Sequence, residues 1–244
     1  MEKFYNLDDV SQSYNDENYI YRHEALVKSK YTVEKLIDKV KGKDILDLGL
    51  GHGFVHESLS KQAKSYDIIE GSKRLISEYK TEKSVDSTEF NIICSYFEEY
   101  IPAKKYDLII ISGVLTIVEN PQEILKQYRE YLNDGGRIIV IEMNAMSLHR
   151  RIGFETGIIS DIYGVSDYQQ SSGIRRLFTL ESIKILINNA RLEVLEVEGI
   201  FLKPITSKQM VCLGFNDDVY NAFIKAGRLY PELCNHIYLE CKMK

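Results

Sequence analysis

The chain has 244 residues, with 31 Lys and Arg against 36 Asp and Glu and a formal charge of −5. At about 150 residues per domain this is one large domain or one domain with an insertion. Hydrophobic residues at 44% and charged residues at 27% exclude wholesale disorder and a fibrous repeat. The acidic balance argues against a nucleic-acid partner, since such proteins carry a basic excess. No window approaches 18 uninterrupted apolar residues, so no membrane span is expected. Met1 to Asn6 offers no apolar stretch for a signal peptide, and a cytoplasmic protein is expected. The cysteines Cys94, Cys212, Cys234 and Cys241 are widely spaced and lack a C-x-x-C pair or a His at ligand spacing, so neither a disulfide scaffold nor a metal site is expected.

Residues 1–40 carry a helical pattern, with Val33, Leu36, Ile37 and Val40 on one face and lysines on a face expected to be solvated. Short apolar runs follow at 44–48, 66–70, 90–94, 107–111 and 137–141. They are apolar on both faces, as strands of a helix-covered parallel sheet are. Cys94, inside the third run, is expected to be buried. Between the fourth and fifth runs, Ile124, Leu125, Tyr128, Tyr131 and Leu132 share a helical face. Asn120 is the N-cap of that helix, Pro121 stands at N1, and Asn133-Asp134-Gly135-Gly136 is a turn that ends it. Residues 150–178 show no period and are expected to form an insertion or lid. Beyond them lie a helix at 180–189, a strand at 192–197 and a last strand at 238–243. Repeated strand–helix units imply right-handed crossovers and a doubly wound α/β sheet, with residues 1–244 forming a single domain.

The strongest local signal is Asp47-Leu48-Gly49-Leu50-Gly51-His52-Gly53, between the first strand and a helix. Glycines there let the backbone turn tightly and approach a ligand. Glu70 ends the second strand, where a carboxylate takes both hydroxyls of a ribose. The nicotinamide fingerprint G-x-G-x-x-G would need a third glycine where Phe54 stands, and no G-K-[ST] follows for a P-loop.

With these motifs the chain resembles the class I S-adenosylmethionine-dependent methyltransferases over about residues 35–200. The resemblance implies a Rossmann-like, mostly parallel seven-stranded sheet whose last strand is antiparallel, with S-adenosylmethionine as cofactor and S-adenosylhomocysteine as product. It places Asp47, Gly49, Gly51, His52 and Gly53 at the cofactor loop and Glu70 and Gly71 at the ribose. Ser95, Tyr96 and Phe97 match the segment flanking adenine, where many members carry an aspartate in place of Ser95. Ser112 and Gly113, at the exit of strand four, match the motif beneath the transferred methyl. Thr116-Ile117 replaces the Glu-His pair of many small-molecule members, so the role of that His does not transfer. The Asn/Asp-Pro-Pro-aromatic tetrad of amino-methylating nucleic-acid enzymes is absent. Tyr14 and Arg22 occupy the N-terminal region that closes over the cofactor in family members; Tyr19 and His23 lie in the same stretch.

Asn144-Ala145-Met146-Ser147-Leu148-His149-Arg150 is similar to a segment of a small-molecule subgroup associated with sugar and polysaccharide modification, as are Phe201-Leu202-Lys203-Pro204 and Gln209-Met210. Residues just after strand five face the ligand crevice of a doubly wound fold. His149 is placed to take a proton there, and its alternative is a His bonded to backbone near a helix start. Arg150, Arg151, Arg175 and Arg176 form two adjacent pairs suited to an anionic acceptor, their alternative being surface ion pairs. Asn144 and Lys203 complete the expected acceptor residues. The expected activity is methyl transfer to an oxygen of a small polar, anionic metabolite or polysaccharide precursor, by a monomer or homodimer. N-methylation of an amino sugar or amino acid, a nicotinamide oxidoreductase and a non-catalytic cofactor-binding module are the rival readings.

Overall fold

The structure is a computed structural model describing residues 7–10, 22–82 and 90–244. Tyr14 and Tyr19 lie outside these residues. The elements run in the order α1 (Leu7–Val10), α2 (Arg22–Leu36), β1 (Asp44–Leu48), α3 (His56–Ser60), β2 (Ser65–Glu70), α4 (Lys73–Glu82), β3 (Asn91–Cys94) and β4 (Tyr106–Ser112). There follow α5 (Pro121–Arg129), β5 (Leu132–Met143), α6 (Leu148–Glu155), α7 (Asp167–Ser171), α8 (Leu180–Asn189), β6 (Leu192–Ile200), α9 (Ser207–Cys212), α10 (Asp217–Gly227) and β7 (His236–Met243). Among the described residues no helix is long and apolar enough to cross a membrane.

The seven strands form one sheet in the order β3-β2-β1-β4-β5-β7-β6. The first five are parallel, and β7 runs antiparallel between β5 and β6, as the family resemblance implies. Side chains alternate across the sheet because the strand period is two. Leu46, Ile109, Ile111 and Val140 pack on one face with Leu125 and Tyr128 of α5 and Ile183 and Ile187 of α8. Ile45, Ile68, Ile110 and Ile141 pack on the other with Tyr31 and Leu36 of α2 and Tyr220 of α10. Both faces are covered, which explains why the strand runs are apolar throughout.

Three expectations need correction. Cys94 is exposed, because β3 is a four-residue edge strand with no neighbour beyond it among the described residues. The helix α5 begins as expected: the Asn120 side chain accepts from the Gln122 and Glu123 N–H groups, with Pro121 next. It stops at Arg129, however, and Leu132 already pairs with Tyr106 as the first residue of β5. The next ladder pair is Leu108 with Arg137, so Asn133, Asp134, Gly135 and Gly136 bulge out opposite Asp107. Gly135 supplies the positive φ of 75° that this bulge requires, and Asn133 Nδ2 donates to Asp107 Oδ1 at 2.8 Å. The turn signal is therefore a bulge within a strand.

The third correction concerns the lysines of the N-terminal helix. Lys35 donates to Glu196 at 2.6 Å and Glu198 at 2.7 Å, and Lys39 pairs with Glu240 at 2.5 Å. Glutamates of β6 and β7 thus draw this face against the sheet. Lys28, one helical stretch earlier, faces a cavity at the carboxyl ends of the strands.

Candidate active site

The cavity has a volume of about 570 Å³, within the range of small-molecule sites, and opens where the strand order reverses between β1 and β4. Its one end is built by the glycine loop. Gly49, Gly51 and Gly53 have φ of 97°, 50° and 69°. A Cβ at Gly51 would meet no atom within 4 Å, so the backbone there is bare toward the cavity. Gly53 is required for a different reason: a Cβ would lie 2.3 Å from the Tyr79 ring. His52 lines the cavity and stacks on Phe54 at 5.4 Å.

Glu70, buried at the end of β2, accepts from Ser72 N–H at 2.7 Å and Leu50 N–H at 3.0 Å. Each carboxylate oxygen keeps lone pairs for a further donor, as a vicinal diol would supply. Burial pushes the Glu70 pKa up, and the backbone N–H groups of Ser72, Leu50 and Gly71 act against that shift. Asp47 is held beneath the loop, accepting from Tyr66 Oη at 2.6 Å. Gly71 is covered by Leu7, and Asp8 of the same helix accepts from Ser72 Oγ at 2.7 Å, so α1 closes over this end. Ser95 Oγ donates to the Tyr96 carbonyl at 3.1 Å, while Tyr96 and Phe97 line the wall. Phe97 lies 3.8 Å from the position of a Gly49 Cβ. Ser112 and Gly113 line the floor, where Gly113 takes φ 73° and its N–H donates to Ile141 O at 2.8 Å. Arg22 is exposed, 6.0 Å from the Phe54 ring centroid, and does not line the cavity.

The other end is polar. His149 Nδ1 lies 3.2 Å from Ser147 Oγ, and no hydrogen bond engages its Nε2 among the described residues. Burial, reinforced by the charges of Lys203 and Arg150, pushes its pKa down to about 3, so the imidazole is neutral. Lys203 Nζ donates to Glu24 Oε2 at 2.8 Å, and Ser207 Oγ donates to the same atom at 2.5 Å. Asn235 Nδ2 reaches Glu24 Oε1. Burial works against the Glu24 carboxylate, yet Lys203 and its other partners hold its pKa at about 2. His236, 3.2 Å from Asn235 Nδ2, is pushed down to about 3 by burial and by Lys28. Glu142 is fully buried and pushed up to about 8; its Oε1 accepts from Leu115 N–H at 2.7 Å. Glu142 Oε2 has no partner among the described residues.

The four arginines divide. Arg150 and Arg175 line the cavity, whereas Arg151 and Arg176 do not. Arg176 donates to the carbonyls of Leu115, Val118 and Glu119, and Arg151 to that of Met146, so backbone oxygens occupy these guanidiniums. Arg150 donates to the carbonyls of Ile162 and Gly164 at 2.8 Å each and pins the insertion over the cavity. Asn144 lines the cavity, but its Nδ2 donates to Glu232 and Cys234 carbonyls and its Oδ1 accepts from Met146 N–H, which makes it a clamp between segments. Glu24, Lys28, Asn235 and His236 were not signalled by any motif; they meet only because α2 and the start of β7 pack beside the end of β5.

The chain matches the family described as a methyltransferase domain over residues 21–197. It is 24% identical over 186 residues to a ubiquinone biosynthesis O-methyltransferase of Coxiella burnetii, covering 75% of this chain and 76% of the relative. Magnesium protoporphyrin IX methyltransferase from Synechocystis, solved with bound S-adenosylhomocysteine, is similar in fold at a TM-score of 0.65 and 12% identity, over 97% of this chain and 94% of that one. An N-methyltransferase from Bradyrhizobium japonicum, in complex with the same product, aligns at a TM-score of 0.60 and 12% identity over 98% and 99% of the two chains. The bare glycine loop and the Glu70 carboxylate that lines the same end of the cavity fit S-adenosylmethionine. The chain belongs to the methyltransferase-domain family, and its fold is that of the class I S-adenosylmethionine-dependent enzymes.

Proposed function

We propose that this enzyme transfers a methyl group to an oxygen of a small, polar, anionic acceptor, a metabolite or a polysaccharide precursor. The observation that carries the anionic acceptor is Lys28. Its ammonium faces the cavity and has no hydrogen bond or ion pair among the described residues. Burial works against this cation, and Glu142, Glu24 and Asp47 oppose that only through space, so a ligand anion in direct contact would give it the hydrogen-bonded partner it lacks. Arg150 and Arg175 add positive charge to the same lining, whereas the charges of Glu24 and Lys203 offset each other.

S-adenosylmethionine supplies an electrophilic methyl on a sulfonium sulfur. Glu70 and the glycine loop hold it, and the polar end of the cavity holds the acceptor in line with the methyl, where positioning does most of the work. In this reading His149 Nε2 takes the proton of the acceptor hydroxyl, to whose oxygen bound S-adenosylmethionine would supply the methyl, leaving as S-adenosylhomocysteine. An acceptor anion beside His149 raises the proton affinity of its imidazole, opposing the effect of Lys203 and Arg150. The O-methyltransferase relative supports oxygen as the target.

The test is a product screen of phosphorylated metabolites, sugar nucleotides, carboxylates and neutral glycosides with labelled S-adenosylmethionine. Anionic acceptors should be methylated best, and Lys28→Met should raise their KM at least tenfold while S-adenosylhomocysteine affinity stays unchanged. Neutral glycosides as the best acceptors, or loss of product affinity in Lys28→Met, would remove the anionic reading.

A further inference from the structure

Beneath the glycine loop lies a buried group that the methyl-transfer reading leaves unused. His56 opens α3 and is only 2% exposed. Its Nε2 is 2.8 Å from the Leu50 carbonyl oxygen, and its Nδ1 is 3.2 Å from Asp47 Oδ2. Both neighbours accept hydrogen bonds. A neutral imidazole has one N–H and satisfies only one of them. The Tyr66 hydroxyl does not supply the missing proton, because it lies 3.5 Å from Nδ1 and donates to Asp47 at 2.6 Å. The contacts are therefore met by an imidazolium whose two N–H groups face the Leu50 carbonyl and the Asp47 carboxyl group. Leu50 continues the chain of bonds, since its own N–H donates to Glu70 Oε2.

We infer that His56 is a positioning residue for the cofactor, a buried imidazolium whose two N–H groups clamp Asp47 and Leu50 and so hold the Leu50 N–H against Glu70. The groups that face it are Asp47 from β1, Tyr66 and Glu70 from β2 and the Leu50 carbonyl from the loop, with the Phe90 ring on the remaining side. Lys28 of α2 reaches the cluster only through the charge of Asp47. Burial alone drives a proton off an imidazole, but Asp47 and the Leu50 carbonyl reverse that here and lift the pKa of His56 above its ordinary value. The route to the cofactor rests on Glu70 as the ribose acid, and the experiment separates the two.

The first measurement is spectroscopic. Nitrogen-15 spectra of the histidine rings in the protein saturated with S-adenosylhomocysteine should show one imidazole with both nitrogens protonated at pH 7.5, above the ordinary histidine pKa of about 6.5. The His56 signal, assigned as the one lost in His56→Gln, overturns the inference if it shows a single neutral tautomer at that pH; His149 and His236 are the buried rings expected to be neutral there. The second is calorimetric titration with S-adenosylhomocysteine. His56→Gln, which keeps one donor, should weaken binding about tenfold at pH 6.5 and remove a decline in wild-type affinity on the alkaline side. A variant that merely melts earlier, with affinity and pH profile unchanged, overturns the positioning role. The third is a double-mutant cycle with Glu70→Ala. If the chain of bonds is the route, His56→Gln should cost little further affinity once Glu70 is gone. Losses that simply multiply would overturn the route through Leu50, and a Glu70→Ala protein with native affinity would refute the ribose role while leaving the ring protonation as measured.

Discussion

At the scale of the residue, burial turns ordinary side chains into specialised ones. Glu70 holds two backbone N–H groups of the loop and is read as the ribose acid, so Glu70→Ala should weaken S-adenosylhomocysteine by about 1.5–3 kcal/mol, the range for bonds to a charged group. Calorimetry measures it, and a smaller loss would assign Glu70 to loop support alone. His149 should separate differently. His149→Ala should lower turnover by about 10²–10⁴-fold and leave product affinity intact, because its ring touches neither the loop nor Glu70. If only the acceptor KM rises, His149 orients the acceptor and takes no proton. The cofactor end was legible in the sequence because its determinants, three glycines and two acids with a strand on either side, fall within residues 47–70. At the acceptor end, His149 and Lys203 lay in recognisable segments, but Glu24, Lys28, Asn235 and His236 belong to distant stretches with no motif. Arginine pairs were a weak guide, since adjacent guanidiniums point apart: Arg175 toward the cavity and Arg176 toward three carbonyls.

Among elements, what the sequence betrayed best was period and capping. The Asn120 cap followed from residue type and the proline behind it, and Asn120→Ala should cost about 1 kcal/mol of stability, read as a lower urea midpoint with an unchanged slope. Helix α5 lost its last turn to β5 because Leu132 gains a strand partner in Tyr106 and complete burial. No local propensity encodes that competition. Edge position is equally invisible to a local reading, which is why Cys94 looked like a core residue. The lysines of α2 illustrate a third limit. Their spacing marked them as one face of a helix, but the glutamates that attract Lys35 belong to strands more than a hundred and fifty residues away in sequence.

For the whole molecule, the buried ionisable groups set how stability changes with pH. His149 and His236 have folded pKa values of about 3 against 6.5 in the unfolded chain, so between these values the unfolded state binds more protons and stability falls as pH falls. Glu24, lowered from 4.5 to about 2, adds to that loss below pH 4.5. Glu142 acts in the opposite sense: raised from 4.5 to about 8, it is protonated when folded, and its contribution is lost as pH rises through that window. Glu70 and His56, both raised, act in the same direction as Glu142. The two senses oppose each other between about pH 4.5 and 6.5, whereas below that window only the losses from His149, His236 and Glu24 act and above it only those on the Glu142 side. Urea midpoints at pH 3.5, 5.5 and 8 should therefore be highest at 5.5 and fall more steeply on the acid side. A midpoint at pH 8 above that at 5.5 would show that Glu142 ionises freely in the native state.

The insertion of β7 between β5 and β6 has a consequence for synthesis on the ribosome. The sixth strand has no pairing with the fifth, and both sides of the gap wait for the seventh. The glycine loop, Glu70 and the floor at Gly113 are made early and meet through parallel pairings complete before residue 144 emerges. Asn235 and His236 enter only with the seventh strand, Asn235 as the last of the partners of Glu24 and His236 as the partner of Met143. A nascent chain can thus assemble the surface that grips the methyl donor well before it owns a chamber for the acceptor. On the proposed reading, methyl transfer needs the seventh strand, because the acceptor end is incomplete without Asn235 and His236.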